Sequence, residues 1–349
     1  MIFHPRPSPI AGAMYQLRDL GVDAIIIHGP SGCCFRTARL LELDGVRVFT
    51  SSISENSVVF GAYENLKNAL DYAINYLKKE NPLIGIVGTC ASMIIGEDLW
   101  SIADEYKEAT IIPVEVYGGY EDNTIGAIKA MESALKIGLI DEEEFNRQKY
   151  LLEKATELEK SRGMAKSRYL KPCYEDDLDE VIKVLKELKE EDKKIACVLN
   201  AKKETSYLFA HPLIVLNKYF KCINLGNLDI NKGLPKVRND AKNILKFFKP
   251  DYIIGGLDEY AITGENAIKI LKKLDISAVV VAGIPHALPV EELDSSIIKI
   301  AVSDGPRTYY PIKEIYDYAI VELDAHAKVL GKREVVKSRF GEILEYALR

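Results

Sequence analysis

Long apolar runs are missing from this 349-residue chain. The longest stretch, 276–284 (ISAVVVAGI), is diluted by serine and glycine and falls well short of the roughly 20 residues a membrane helix needs, so no membrane contact is expected. A basic excess is missing too: 46 Lys and Arg stand against 52 Asp and Glu, a net charge of −6. No basic tail or stripe breaks that balance, which argues against nucleic acid or an anionic membrane surface as a partner. Cysteine is scarce, six residues in all, and the opening MIFHPRPSPIAGAM carries His, Arg and three prolines where an export signal needs an apolar core. The expected compartment is the cytoplasm, where six thiols read as small core residues, reactive groups or metal ligands rather than a disulfide framework. Glutamine occurs only twice, at Gln16 and Gln148, a bias that accompanies thermal adaptation. What is present, 48% hydrophobic and 28% charged residues, suffices for a full core beneath a solvated surface. The length predicts two domains.

Short apolar runs alternate with amphipathic segments. Strands are predicted over 24–28 (AIIIH), 46–50, 83–89 and 110–116, with helices over 33–43, 63–79 and 98–108 between them. Continuous apolar strands separated by helices indicate a parallel sheet covered on both faces, with ligands at the carboxyl ends of its strands. Residues 123–190 then read as a helical connector: helices over 125–139, 142–160 and 177–190, rich in Glu/Lys pairs, with a polar break at 161–172. The alternation resumes with strands over 194–200, 220–225, 252–255, 277–282 and 297–302 and helices over 204–218, 238–248 and 261–274. The tail, 311–349, reads as helical with an interruption at Gly331. The fold class is therefore α/β: two doubly wound parallel-sheet domains, 1–122 and 191–310, joined by the connector 123–190 and followed by C-terminal helices 311–349.

Three segments of the first domain follow predicted strands and so share one sheet edge: His28–Cys33 (HGPSGC), 49–61 (FTSSISENSVVFG) and 88–98 (GTCASMIIGED). Two of them set a cysteine, Cys33 or Cys90, in a turn with a glycine, Gly32 or Gly88. Glycine lets backbone approach a bulky inorganic ligand, and free N–H groups at a helix start favour anions.

These three elements, in order and at comparable spacing, resemble component 1 of nitrogenase and its relatives over about residues 10–126. The resemblance implies that Cys33 and Cys90 ligate an iron–sulfur cluster at a subunit interface, with Gly32 and Gly88 beside it. Larger family members carry a third cysteine just ahead of an Ala-Gly-Ala; here Ile10 precedes Ala11-Gly12-Ala13. With two family cysteines per chain, a cubane that wants four thiolates implies a homodimer holding one [4Fe-4S] cluster on its two-fold axis. Cys34, adjacent to Cys33, is the reserve ligand. Cys173, Cys197 and Cys222 read as core residues.

The second half is similar to one branch of the family, the reductive cyclases that act on Ni-sirohydrochlorin a,c-diamide on the way to coenzyme F-430. The carrying segments are 199–209 (LNAKKETSYLF), 255–264 (GGLDEYAITG), 282–289 (AGIPHALP) and 303–307 (SDGPR). The branch implies a nickel tetrapyrrole as substrate, in a cleft between the two α/β domains, and electrons from a homodimeric iron protein-like ATPase that binds transiently. MgATP belongs on that partner, because no G-x-x-x-x-G-K-[ST] occurs in this chain. Arg36, Arg39, Lys202, Lys203 and Arg307, beside predicted strand ends, are candidate clamps for the substrate's carboxylates. His286, in a Gly/Pro-bracketed loop, and Glu259, in GGLDEY, are candidate catalytic groups, with Asp258 expected as a helix cap and His28 as a hydrogen-bonded turn residue. Two alternatives stay open: a reductase of another tetrapyrrole or a small sulfur compound, and a metal-chelate binding protein that performs no chemistry.

Overall fold

The computed structural model describes residues 7–120, 122–165 and 168–349. The start of the opening segment and two residues of the polar break 161–172 lie outside the described residues. The chain divides into two compact units: the first runs to Glu153 and takes in Leu234–Lys236, and the second holds Lys154–Gly233 and Val237–Arg349.

In the first unit four parallel strands, β1 (Ala24–His28), β2 (Arg47–Thr50), β3 (Leu83–Gly88) and β4 (Thr110–Val114), lie in the order β2-β1-β3-β4. All five residues of β1 are buried, as its unbroken apolar run requires of a strand covered on both faces. Its Ala24 and Ile26 pack with Ile84 and Ile86 of β3 against Leu66 and Leu70 of the helix Tyr63–Leu77. A helix not foreseen from the pattern, Pro9–Leu20, opens the unit; Ser8 Oγ accepts from the Ala11 N–H at 3.2 Å, and Gly21 ends it at φ +90°. This helix packs against Asn123–Lys136 with no room for side chains at the crossing. A Cβ at Gly12 would lie 2.0 Å from the Asn123 carbonyl oxygen, and one at Gly126 1.8 Å from that of Pro9.

The second unit holds six parallel strands in the order β10-β9-β8-β5-β6-β7: β5 (Ile195–Asn200), β6 (Cys222–Gly226), β7 (Tyr252–Ile253), β8 (Ala278–Gly283), β9 (Ile298–Asp304) and β10 (Tyr318–Glu322). Two boundaries depart from the sequence reading. The span 123–190 is not a connector standing apart, since the division falls at 153/154, inside the continuous helix Glu142–Ser161. The tail is not all helical: β10 lies within it and pairs with β9 from Tyr318↔Ile300 to Glu322↔Asp304. Its short apolar run (YAIV) looks alike as strand or helix until a neighbour pairs with it.

Each sheet reverses its strand order once. In the first the reversal lies between β1 and β3, and in the second between β5 and β8. The crevice outside such a reversal is where open α/β sheets place ligands.

Candidate functional site

The loops after β1 and β3 flank the reversal of the first sheet. After β1, Cys33 closes a turn by donating its N–H to the Pro30 carbonyl at 2.9 Å. Cys34 follows in the left-handed region, φ +54°, at the cap position of the helix Phe35–Leu43. After β3, Thr89 caps the helix Cys90–Ile95, with its N–H bonded to Ser92 Oγ at 2.8 Å and its hydroxyl donating to the His28 carbonyl at 2.8 Å. That last bond ties the two cysteine loops together. Cys33 is half-buried and Cys90 exposed, both as free thiols. Burial pushes the Cys33 thiol up, and the neighbouring Cys90 charge adds to the shift; two thiolates repel, and a cationic metal held by both would offset that penalty. The Cys34 thiol is raised mainly by burial, against which the Ser8 side chain works. Ile10, standing where larger relatives have their third cysteine, is buried in the Pro9–Leu20 helix.

One donor in this site was not foreseen. The Gly118 N–H, in the loop after β4, points at Cys90 Sγ at 3.2 Å, and a Cβ at Gly118 would sit 3.3 Å from that sulfur. N–H donors to sulfur stabilise the thiolate. At Gly32 a Cβ would meet nothing within 4 Å, so the space there is open, whereas at Gly88 one would come 3.2 Å from the Val116 carbonyl oxygen. Gly88 thus serves the chain's own packing. Among the described residues no group of three or more His, Cys, Asp or Glu side chains is arranged to hold a metal ion. Cys33 and Cys90 suit a soft iron–sulfur ligand but supply only half of a cubane's four thiolates.

Around the sulfurs the surface is apolar. Phe35, Val59, Phe60, Met93 and Ile94 are 65, 74, 86, 49 and 72% exposed, on helices that begin or end at the cysteine loops or, for Glu55–Phe60, pack against Cys90–Ile95. A cluster of exposed large apolar side chains marks a surface meant to be covered.

His28 ends β1 fully buried, with Nδ1 2.9 Å from Ser51 Oγ, which also accepts the Gly29 N–H. It is the hydrogen-bonded turn residue expected. Burial lowers its pKa to about 4. Unfolding frees it to take a proton near 6.5, so its contribution to stability is complete above pH 6.5 and is lost as pH falls towards 4. The loss is about 3 kcal/mol. Urea unfolding at pH 7 and pH 4.5 should therefore show a steeper decline for the native protein than for His28→Asn; equal declines would contradict it.

At the second reversal, β5 runs into Lys202 and Lys203, and β8 into the turn Pro285–Ala287. Asn200 stitches these loops, donating from Nδ2 to the Tyr260 carbonyl at 3.0 Å and accepting from Thr263 Oγ1 at 2.7 Å, while the Ile284 N–H bonds its carbonyl at 2.7 Å. A Cβ at Gly264 would lie 2.1 Å from the Ala287 carbonyl oxygen, so only glycine lets the turn sit this low. Lys202 and His286 are brought together by a residue the sequence did not single out. Glu159 Oε1 accepts from Lys202 Nζ at 3.0 Å and stands 3.8 Å from His286 Nε2. Its Oε2 accepts from the Met164 N–H at 3.1 Å, where a Cβ at Gly163 would be 2.2 Å away. Burial works against the Glu159 carboxylate, yet the Lys202 charge and the His286 ring outweigh it and hold the carboxyl well below the ordinary carboxylate range. Lys202 is likewise opposed by burial but held above the usual ammonium range by Tyr260, over whose ring it lies, and by Glu159. His286 is 4% exposed, and its Nε2 has no hydrogen-bond partner.

The remaining candidates fall elsewhere. Glu259 is buried and closes its own turn, accepting from the Gly256 N–H at 2.9 Å and from Lys232 Nζ at 3.2 Å. Asp258 lies inside that turn, whose cap is Gly256, rather than capping it. Lys203 is half-buried and Arg307 exposed, both in the second unit; Arg36 and Arg39 are exposed in the first, Arg39 ion-paired with Glu42. Cys197 is a core residue, but Cys222 is half-buried, and Cys173 is a half-buried loop residue whose thiol donates to the Glu175 carbonyl at 2.8 Å. No helix of the described residues is long and apolar enough to cross a membrane.

The model of the family described as nitrogenase component 1 type oxidoreductase matches residues 8–156, nearly the extent of the first unit. Over the whole of both chains the sequence is 78% identical to component CfbD of the Ni-sirohydrochlorin a,c-diamide reductive cyclase complex of Methanocaldococcus jannaschii. It is 49% identical to that component of Methanothermobacter thermautotrophicus over 98% of each. A NifE protein of Methanosarcina barkeri, which its name assigns to nitrogenase iron-molybdenum cofactor biosynthesis, is 32% identical over 38% of this chain and 30% of its own. Among solved structures, nitrogenase Cp1 at pH 6.5 aligns over 98% of this chain and 88% of its own, at 14% identity and a TM-score of 0.40. Full-length identity at this level places the chain in the CfbD family, among the oxidoreductases of the nitrogenase component 1 type.

Proposed function

We propose that this protein is the catalytic component of a reductive cyclase that converts Ni-sirohydrochlorin a,c-diamide on the way to coenzyme F-430. In this reading electrons reach it from a separate iron protein-like ATPase, which uses MgATP, through one [4Fe-4S] cluster shared by two copies of the chain. The observation that carries the reading is the pair Cys33 and Cys90, on the two loops that flank the first sheet's reversal and are tied by the Thr89–His28 bond, with exposed apolar side chains on the adjoining helices. When bound, the cluster supplies single-electron transfer. The chain's own residues do the rest. Cys33 and Cys90 supply two thiolates, the Gly118 N–H steadies one of them, and the apolar rim seals the interface against water. Lys203 and Arg307, both of the second unit, offer cations to the macrocycle's carboxylates, while Lys202 and His286 with Glu159 form the polar floor of that unit's crevice. His286 is the candidate group for moving protons onto the reduced ring, whereas Glu259 is taken up by its own turn.

Anaerobic purification tests the reading: four irons and four sulfides are expected per two chains, and reduction of the nickel macrocycle only when the ATPase and MgATP are both present. A colourless, iron-free protein that still binds the macrocycle would instead mark a chelate-binding protein, and turnover of another tetrapyrrole alone would move the substrate.

A further inference from the structure

The polar group at the second reversal contains an unpartnered ring nitrogen, which donates when it carries the imidazole proton. His286 Nε2 is buried without a hydrogen-bond partner, and a buried polar atom left so costs about 1–3 kcal/mol unless a ligand or water completes it. Beside it, 3.8 Å away, is Glu159 Oε1, which accepts one bond from Lys202 and has lone-pair capacity for another. A donor and an acceptor thus stand side by side, too far apart to satisfy each other. The chemical group that answers both at once is a primary carboxamide: its carbonyl accepts and its NH₂ donates. A carboxylate does not, since it only accepts and carries a charge of the same sign as Glu159, while Lys202 is already committed to that residue.

Resting on the reading that the substrate is the a,c-diamide, we propose that Glu159 and His286 form a carboxamide-recognition subsite that selects the amidated macrocycle over its free acid. The His286 Nε2–H donates to the amide carbonyl, and the amide N–H donates to Glu159 Oε1. Three features of the fold hold the pair in place: Gly163 leaves the room that the Glu159 carboxylate fills, the Met164 N–H fixes its other oxygen, and Gly264 lets the His286 turn sit low against the neighbouring helix start. Lys202, whose side chain is 29% exposed, keeps Glu159 charged and so keeps the acid form out. Glu159 is in this sense a specificity-determining residue, and sites that must pair a substrate's polar group discriminate strongly against analogues lacking it.

The test is equilibrium binding to cluster-free protein, followed through the visible absorbance of Ni-sirohydrochlorin a,c-diamide and of the unamidated Ni-sirohydrochlorin. The native protein is expected to prefer the diamide by about 100-fold. In Glu159→Gln the new side-chain N–H and the released Lys202 both welcome a carboxylate, and the preference should fall to within about threefold of unity. The double variant Glu159→Gln/Lys202→Met, which leaves no lone buried charge, guards against a folding defect and should lose the preference as well; melting curves establish that both are folded. A folded variant that keeps the 100-fold preference, or a native protein that binds both macrocycles equally, overturns the subsite. A native protein that binds neither overturns the functional reading itself.

Discussion

Cys33→Ser and Cys90→Ser proteins, purified without oxygen, are each expected to be colourless and to lack the EPR signal of a reduced cluster. If two copies share one cubane, a single change removes two of its four thiolates, and a cubane holding two sulfur ligands does not survive. Serine keeps the volume but is a poor ligand to iron, so the fold should persist, with a melting temperature within a few degrees of the native apoprotein. Turnover should fall to background in both. Cys34→Ala, a change at the reserve ligand, is the control, and iron content should stay at the native level. A full cluster in both serine variants would refute the ligand assignment, and a cluster lost only in Cys34→Ala would move it by one residue.

The second large effect is on assembly. Phe60 and Ile94 are 86 and 72% exposed, on the two packed helices Glu55–Phe60 and Cys90–Ile95. If a second copy covers this surface, each chain buries two such side chains, worth roughly 2 kcal/mol apiece. An aspartate in either place also buries a charge without a partner. Phe60→Asp and Ile94→Asp should each weaken the dimer at least about thirty-fold, giving a monomer by light scattering at micromolar concentration. Iron content should drop with dimer content although both cysteines remain, which separates loss of the interface from loss of a ligand. A variant that stays dimeric and fully loaded would place the interface on another surface.

Nine of the ten described strands were legible, β10 excepted, because a parallel strand buried on both faces must be apolar throughout, and runs such as AIIIH and SAVVVAG leave little other choice. Short elements were not. The helices Glu55–Phe60 and Cys90–Ile95 span six residues each, less than two turns, and show no periodicity to detect. Pro9–Leu20 was obscured by prolines and by Gly12, a poor helix former kept because a neighbouring backbone passes where its side chain would be. At the sulfur site the cysteines were readable from motif and spacing, but the Gly118 donor was not, since a backbone N–H leaves no mark on sequence beyond a Gly-Gly pair. Glu159 was hidden differently. It sits in a helix crowded with Glu and Lys, where any single carboxylate looks solvated, and only the return of β5 and β8 beneath it gives it Lys202 and His286. The Glu259 turn shows the converse: a conspicuous acidic pair whose glutamate is taken up by local backbone.

The helix Glu142–Ser161 runs unbroken through twenty residues and carries Glu159 near its end. Such a rod has a phase. Within the second unit's part of that rod, from Lys154, adding or removing one residue ahead of Glu159 swings it by about 100° around the axis relative to the residues before it, which would turn the carboxylate away from Lys202. Ahead of Glu159 in this unit the rod should therefore tolerate length changes only in steps near whole turns, of about three or four residues together.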